Sequence, residues 1–149
     1  MSQSPLHDRD FYAWANEQAA LLREGKLSDA DIEHIAQEIE SMGKTEKREL
    51  ASQLTLLLLH LLKWRFQPGR RSRGWEVSIK VQRNLLVDHL EDNPSLKPLI
   101  PAVTEKSYQI AVLEAVAETG FPESTFPESC PWSFDQVMDA DFWPEEQNH

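Results

Sequence analysis

The basic residues of this chain are concentrated in one stretch that could bind an anion. Seven of its fifteen Lys and Arg residues fall between Lys63 and Arg83, together with a single acid, Glu76. The local charge is +6 in a chain whose net charge is −10. Arginine side chains bind carboxylates and phosphates through paired hydrogen bonds. We therefore take five residues as candidates for binding an anionic ligand or an acidic partner: Lys63, Arg65, Arg70, Arg71 and Arg73.

Ser72 is the predicted N-cap of a helix, and three of these arginines flank it. The N-terminus of a helix carries a partial positive charge, so cations there are unfavourable unless an anion compensates them. An external anion would be a phosphate, a carboxylate or an acidic protein surface. The sequence also offers internal acids that could fold against the turn: Asp139, Asp141, Glu145 and Glu146, or Glu38 and Glu40. Both sources of the anion stay open.

His60 interrupts the apolar run 54–62 and marks a second place where chemistry could occur. Its neighbours one helical turn away are Leu56, Leu57 and Trp64, so its own helix supplies no base or ligand. One interpretation is a core histidine hydrogen-bonded to a carboxylate or a backbone carbonyl. The other is a proton-transfer or ligand-contacting group in a pocket. The candidate pocket residues are Glu38, His60, Trp64 and Trp75.

Two possible enzyme signatures do not hold. Residues 69–74 have the glycine spacing of a phosphate-binding P-loop, but Trp75 and Glu76 follow where Lys and Ser or Thr are required. The nearest charged neighbours of Cys130 in the sequence are acidic, which favours a structural thiol over a nucleophile.

Asp31, His34 and Glu38 are spaced almost like metal ligands on a helix. We place them on the face opposite a stripe of isoleucines and expect them to be solvated. The sequence thus assigns no catalytic residue, no cofactor and no metal ligand.

Glycines, prolines and capping residues divide the chain into helices. The first helix ends at Gly25 and the second at Gly43, after which Thr45 can cap a third helix that ends near Phe66. The fourth begins after Ser72 and runs to about Asp92, and the fifth ends at Gly120. The second helix carries its apolar residues on one face: Ile32, Ile35, Ala36, Ile39 and Met42.

The predicted fold class is all-α, because no segment alternates with the period of two that strands require. We expect a single-domain bundle over residues 1–149, with about five main helices around a central apolar helix at about 45–66. The helical body covers about 8–120. The last 29 residues, 121–149, hold four of the nine prolines and six aromatic side chains. They predict an irregular strap with one short helix starting at Ser133.

The cysteine count, the N-terminal residues and the net charge of the chain indicate its cellular location and its classes of partner. One cysteine forms no internal disulfide, and the N-terminus lacks a basic region followed by an apolar run, so we expect a cytoplasmic protein. The apolar run 54–62 has nine residues, which is shorter than the roughly 20 that a membrane-spanning helix needs. An acidic net charge weighs against general nucleic-acid affinity. The sequence leaves the oligomeric state open.

Six short motifs are distributed along the chain: Asp10-Phe-Tyr-Ala-Trp14, Glu38-Ile-Glu-Ser-Met-Gly43, His60-Leu-Leu-Lys-Trp64, Arg71-Ser-Arg-Gly-Trp75, Pro94-Ser-Leu96 and Phe126-Pro127 through Cys130-Pro131. In this order they resemble the bacterial proteins catalogued as domain of unknown function 29. Gly74 departs from the family's pattern, in which serine more often precedes the tryptophan. The resemblance implies a bacterial source and an all-helical domain, but supplies no activity, substrate or catalytic residue. It places five residues inside the family's signature: Glu38, His60, Lys63, Trp64 and Trp75.

Three functions follow as hypotheses. The leading one is a non-enzymatic module that contacts an anionic ligand or an acidic protein through the Lys63–Arg73 turn. The second is a small enzyme or metal-binding protein with a site near His60 and Glu38. The third is a nucleic-acid binder, since bases stack on aromatic rings beside cations.

Overall fold

A computed structural model describes residues 5–145 of the 149-residue chain. The chain divides into two compact units, an N-terminal unit of Met1–Thr45 and a C-terminal unit of Glu46–His149. The prediction of one domain over residues 1–149 stays a prediction.

The described residues form α-helices and no β-strand, so the predicted all-α class is confirmed. Four short 3-10 segments connect the helices. Residues 5–145 contain six α-helices: α1 (Pro5–Arg9), α2 (Phe11–Arg23), α3 (Ile32–Phe66), α4 (Arg73–Asp92), α5 (Ile100–Thr119) and α6 (Phe134–Met138).

Helix α3 is longer than the sequence predicted. It is continuous over 35 residues, whereas we expected one helix to end at Gly43 and another to begin after Thr45. The hydroxyl of Thr45 donates to the carbonyl of Ser41 at 3.0 Å and so lies within the helix instead of capping it. The backbone φ of Gly43 is not positive. A single interior glycine costs a helix only about 1 kcal/mol, which the flanking turns can offset.

The other predicted helix ends match the structure. Gly25 and Gly120 have φ values of 74° and 78°, the left-handed conformation that glycine adopts most easily. The Ser72 hydroxyl accepts a hydrogen bond from the amide of Trp75, and α4 ends at Asp92 as expected. Ser133 caps α6.

The second half of α3 is the apolar centre of the C-terminal unit. Its leucines between Leu50 and Leu62 are buried on several sides of the helix, with the exception of Leu56. They pack in one cluster with side chains from α4 and α5, among them Ile79, Leu86 and Tyr108. Burying one leucine contributes about 1.5–3 kcal/mol, so this cluster dominates the stability of the unit.

Residues 121–145 add aromatic side chains to the same cluster. Phe126, Trp132 and Val137 are buried, while Phe142 and Trp143 pack partly against it. Regular structure in this C-terminal segment consists of the 3-10 turn Glu123–Thr125 and the short helix α6.

In the N-terminal unit, the predicted orientation of the first part of α3 is wrong. Ile32, Ile39 and Met42 are 53, 62 and 68% exposed, although the apolar stripe was expected to face a core. The polar side chains of Asp31 and His34 are the shielded ones, at 17 and 20% exposure. The reason is that hydrogen bonds to α1 and α2 engage this polar face.

Candidate anion and partner interface

Lys63 lies in the last turn of α3 and is only 8% exposed. Its Nζ donates to the Glu118 carboxylate at 2.8 Å and lies 5.0 Å from the ring centre of Trp75. A carboxylate and an aromatic face are both favourable neighbours of an ammonium group. Lys63, a predicted anion ligand, therefore has an internal counter-ion.

Glu118 is not among the residues predicted from the sequence. It lies on α5 one turn after the buried residue Ala115 and two turns after the buried residue Ala111. The sequence signal for Glu118 was its position as an acid at the end of the apolar stripe of α5. Its partner on another helix could not be read from the sequence.

His60 is partly buried one turn before Lys63. Its Nδ1 lies 2.9 Å from the carbonyl oxygen of Leu56. Because a carbonyl oxygen only accepts, Nδ1 carries the proton and Nε2 keeps its lone pair. Burial lowers the pKa of His60, and the nearby Lys63 adds to this effect although the Leu56 carbonyl opposes it. The ring is neutral at pH 7. The backbone partner that we predicted as one alternative is present.

Arg71 is engaged by the C-terminal segment. Its Nε donates to the carbonyl of Trp64 at 2.7 Å, and one Nη donates to the carbonyl of Pro144 at 3.4 Å. The other Nη lies 3.6 Å from the carboxylate of Glu145. Of the internal acids predicted to neutralise the arginines, Glu145 does lie close to one of them, Arg71. Glu146, a second predicted acid, lies outside the described residues.

Two arginines and two tryptophans form a stack in the C-terminal unit. The guanidinium of Arg71 lies 5.0 Å from the ring centre of Trp64, and Trp64 lies 4.7 Å from Trp143 at 43°. The guanidinium of Arg83 lies 5.5 Å from the Trp143 ring. Trp64, a candidate pocket residue, is therefore in contact with both Arg71 and Trp143.

Arg83 binds the backbone of the C-terminal segment, residues 121–145, through two hydrogen bonds. It is 4% exposed, and its Nε and one Nη donate to the carbonyls of Val137 and Phe142 at 2.8 and 2.7 Å. Burial lowers the pKa of Arg83, and the charge of Asp139 opposes this shift. Arg83 is likewise not among the site residues predicted from the sequence. Its signal was a charged residue at helical spacing between the inward-facing Ile79 and Leu86.

The remaining candidate cations, Arg65, Arg70 and Arg73, make fewer contacts with other side chains in the described part of the chain. Arg65 lies with its guanidinium 4.7 Å from the ring of Phe66. Arg70 and Arg73 are exposed on either side of the capping residue Ser72. Within residues 5–145 no carboxylate lies at ion-pairing distance from Arg70 or Arg73. Both side chains lie beside the N-terminus of α4.

Glu38 belongs to the N-terminal unit, whereas His60, Trp64 and Trp75 belong to the C-terminal unit. A pocket that Glu38 shares with His60 stays a prediction. Within its own unit, Glu38 accepts a hydrogen bond from Nε2 of His7 at 2.9 Å. This bond raises the pKa of His7, although burial opposes the shift.

Asp31 is the centre of further hydrogen bonds in the N-terminal unit. Its carboxylate accepts from the indole nitrogen of Trp14 at 3.0 Å and contacts Nδ1 of His34 at 2.7 Å. Burial alone would raise the pKa of Asp31, but the hydrogen bonds from His34 and Trp14 outweigh it and the pKa is lowered. The rings of His34 and His7 stack at 4.1 Å.

Asp31, His34 and Glu38, which have metal-like spacing, take part in these hydrogen bonds with Trp14 and His7. Over residues 5–145, no group of three or more His, Cys, Asp or Glu side chains is arranged to hold a metal ion. Cys130 donates to the carbonyl of Trp132, and burial raises the pKa of its thiol. A thiol with a raised pKa is a poor nucleophile.

A surface groove of about 640 Å³ lies elsewhere in the C-terminal unit. None of the candidate residues predicted from the sequence lines it. Its lining residues are Gln109, Val112, Glu123, Ser124, Phe126, Pro127 and Glu128.

Comparison with known proteins gives one family. The family model described as "Domain of unknown function DUF29" matches residues 6–143, nearly the whole chain. The chain belongs to the DUF29 family. This confirms the family resemblance of the six motifs, and the DUF29 match covers both the Arg70–Arg73 turn and the His60 region. No curated protein and no solved structure matches this DUF29 chain.

Proposed function

We propose that this DUF29 protein is a non-enzymatic interaction module that binds an acidic protein surface through Arg70 and Arg73. The observation that supports this proposal is the contrast among the five predicted cations. Lys63 and Arg71 contact carboxylates of the same chain, whereas Arg70 and Arg73 are exposed without one in the described part of the chain.

A protein surface suits this site better than a small anion. Arg70 and Arg73 lie on an exposed turn. Exposed charges contribute little to affinity singly, but several together steer a complementary surface and make binding depend on salt. The positive end of the α4 dipole adds to the same field.

The test is a titration with poly-L-glutamate, followed by fluorescence anisotropy at two salt concentrations. The double variant Arg70→Glu, Arg73→Glu should weaken binding more than tenfold, and wild-type binding should weaken with salt. The matched control is Lys97→Glu, Lys106→Glu, which changes the net charge equally at two other exposed positions. Equal loss in both variants, or no binding by the wild type, contradicts the proposal. Competition by inorganic phosphate at low millimolar concentration would instead indicate a small-anion site.

A small enzyme or metal-binding protein is the second candidate, and His60 is the observation that favours it. Its ring is neutral, its Nε2 carries a lone pair, and the Lys63–Glu118 pair lies close by. Metal analysis of the purified protein and a His60→Leu variant test this alternative. A folded His60→Leu variant with unchanged binding and no bound metal in the wild type would eliminate it.

Nucleic-acid binding ranks third. Base stacking needs an open aromatic face. Trp64 lies between Arg71 and Trp143, and the ring of Trp75 faces Lys63. Both rings are therefore used within the protein.

A cytoplasmic location stays a proposal that rests on the sequence. Across residues 5–145, no helix combines the length and the hydropathy that crossing a membrane would require.

A further inference from the structure

One exposed face of α4 changes character along the helix. Its N-terminal end carries Arg73, and its C-terminal end carries Asp88 and Asp92, all exposed. Between them lies a ridge of three apolar side chains that are 49, 43 and 43% exposed: Val77, Val81 and Leu85. The face is therefore basic, then apolar, then acidic.

The spacing places these residues together. Val77, Val81 and Leu85 follow one another at intervals of four, which forms a continuous ridge on a helix. Arg73 precedes this ridge by four residues and Asp88 follows it by three, so both extend the same face. The ridge and its two charged ends span about 23 Å along the helix axis.

One charge on the basic half is already neutralised. Lys80 donates to the carboxylate of Glu76 at 3.0 Å, one turn earlier on α4. Arg73 and the preceding Arg70 thus dominate the field at the N-terminal end. At the C-terminal end Asp88 and Asp92 are exposed, and residues 5–145 place no Lys or Arg at ion-pairing distance from them.

We infer that this face of α4 binds the same face of a second copy of the chain, with the two helices antiparallel. The inference rests on the proposed function, since it identifies the acidic surface that the arginines meet. A two-fold axis at Val81 sets that residue against itself and Val77 against Leu85 of the second copy. The same axis brings Arg73 beside Asp88 and Arg70 towards Asp92 of the second copy.

Self-complementarity is the argument for a second copy over an unrelated partner. A two-fold interface uses the same surface twice, so a basic end must find an acidic end on that surface. The α4 face meets this requirement with an apolar centre between the two ends. An unrelated acidic partner would leave Asp88 and Asp92 facing like charge, which is unfavourable.

The experiment measures the mass of the full chain by sedimentation equilibrium over a range of concentrations. The wild type should give a dimer that dissociates more readily at high salt. Arg73→Glu and Asp88→Arg, each alone, should raise the dissociation constant about tenfold or more, because each creates two like-charge contacts. The matched control is Lys106→Glu on the exposed side of α5, which should leave the dimer unchanged. Circular dichroism confirms that each variant is folded.

Mixing the two variants gives the decisive result. In the mixed pair, Glu at 73 meets Arg at 88 and the native Arg73 meets the native Asp88, so an equimolar mixture should form a heterodimer. A wild type that is monomeric at all concentrations overturns the inference, as does a dimer that neither substitution weakens or that mixing does not restore. A monomeric wild type that still binds poly-L-glutamate through Arg70 and Arg73 would overturn the inference alone and leave the proposed function standing. A charge-dependent dimer without poly-L-glutamate binding supports the inference and contradicts the proposed binding of other acidic surfaces.

Discussion

The ammonium group of Lys63 lies 2.8 Å from the carboxylate of Glu118, which joins the last turn of α3 to the last turn of α5. The lysine is almost fully buried, whereas the glutamate is about half exposed. This pair removes Lys63 from the set of cations that are open to a ligand. It also ties the apolar centre of the C-terminal unit to a neighbouring helix.

Replacing Glu118 by Gln should destabilise the protein, because the buried Lys63 ammonium then lacks a counter-ion. We expect the free energy of unfolding to fall by about 1–2 kcal/mol, since Glu118 is partly screened by solvent. Urea denaturation measures the change. Glu114→Gln, one turn earlier on the exposed side of α5, should have no measurable effect. In a Lys63→Met background, the Glu118→Gln substitution should also lose its effect.

Replacing Arg83 by Lys keeps the charge but removes the fork that bonds the carbonyls of Val137 and Phe142. The free energy of unfolding should fall by about 2–4 kcal/mol. Limited proteolysis should also cleave residues 139–145 faster than in the wild type. Arg73→Lys, at an exposed position on the same helix, serves as the control. Equal protection of the segment in both variants would show that Arg83 does not hold it.

The hydrogen bond between His7 and Glu38 should make the N-terminal unit sensitive to pH. Because this bond raises the pKa of His7, its contribution is fully present below the ordinary histidine value of about 6.5. It is lost as the pH rises through the higher folded-state pKa. An NMR titration of the His7 ring should report the raised pKa. Glu38→Gln should return it towards the ordinary value, while Glu40→Gln, at an exposed position, should not.

Removing the Asp31 carboxylate should leave two donors without an acceptor. Asp31→Ala deprives the indole N–H of Trp14 and the ring of His34 of their partner, which costs about 1–3 kcal/mol. Native-state hydrogen exchange of the α2 amides measures this loss. In the wild type the lowered pKa of Asp31 means that its contribution is present above about pH 3.9 and is lost as the pH falls through the folded-state pKa. A wild-type exchange rate in the Asp31→Ala variant would contradict the role.

Part of the candidate site could be predicted from local patterns. Ser72 caps α4 as expected, because an N-cap needs only a hydroxyl and the amide three residues later. The basic stretch around it was visible as a run of charges. Which arginines are already engaged was not visible, because Arg71 meets Pro144 and Glu145 more than 70 positions away.

The orientation of the first part of α3 shows where pattern reasoning failed. An apolar stripe predicts a buried face only when neighbouring elements supply more apolar contact there than elsewhere. In the N-terminal unit, Trp14 and His7 bond to the polar face, and Ile39 is left exposed. Hydrogen bonds between separate helices decided the outcome.

The sequence by itself determined the all-helical class, most helix ends and the family, because these depend on local backbone preferences and short motifs. The tertiary structure alone decided the partners of the charged side chains. Lys63 pairs with Glu118, and Arg83 donates to two backbone carbonyls. Arg70 and Arg73 are exposed. The physical reason is that an ion pair or a buried hydrogen bond depends on distance in space, which helix packing sets and sequence separation does not.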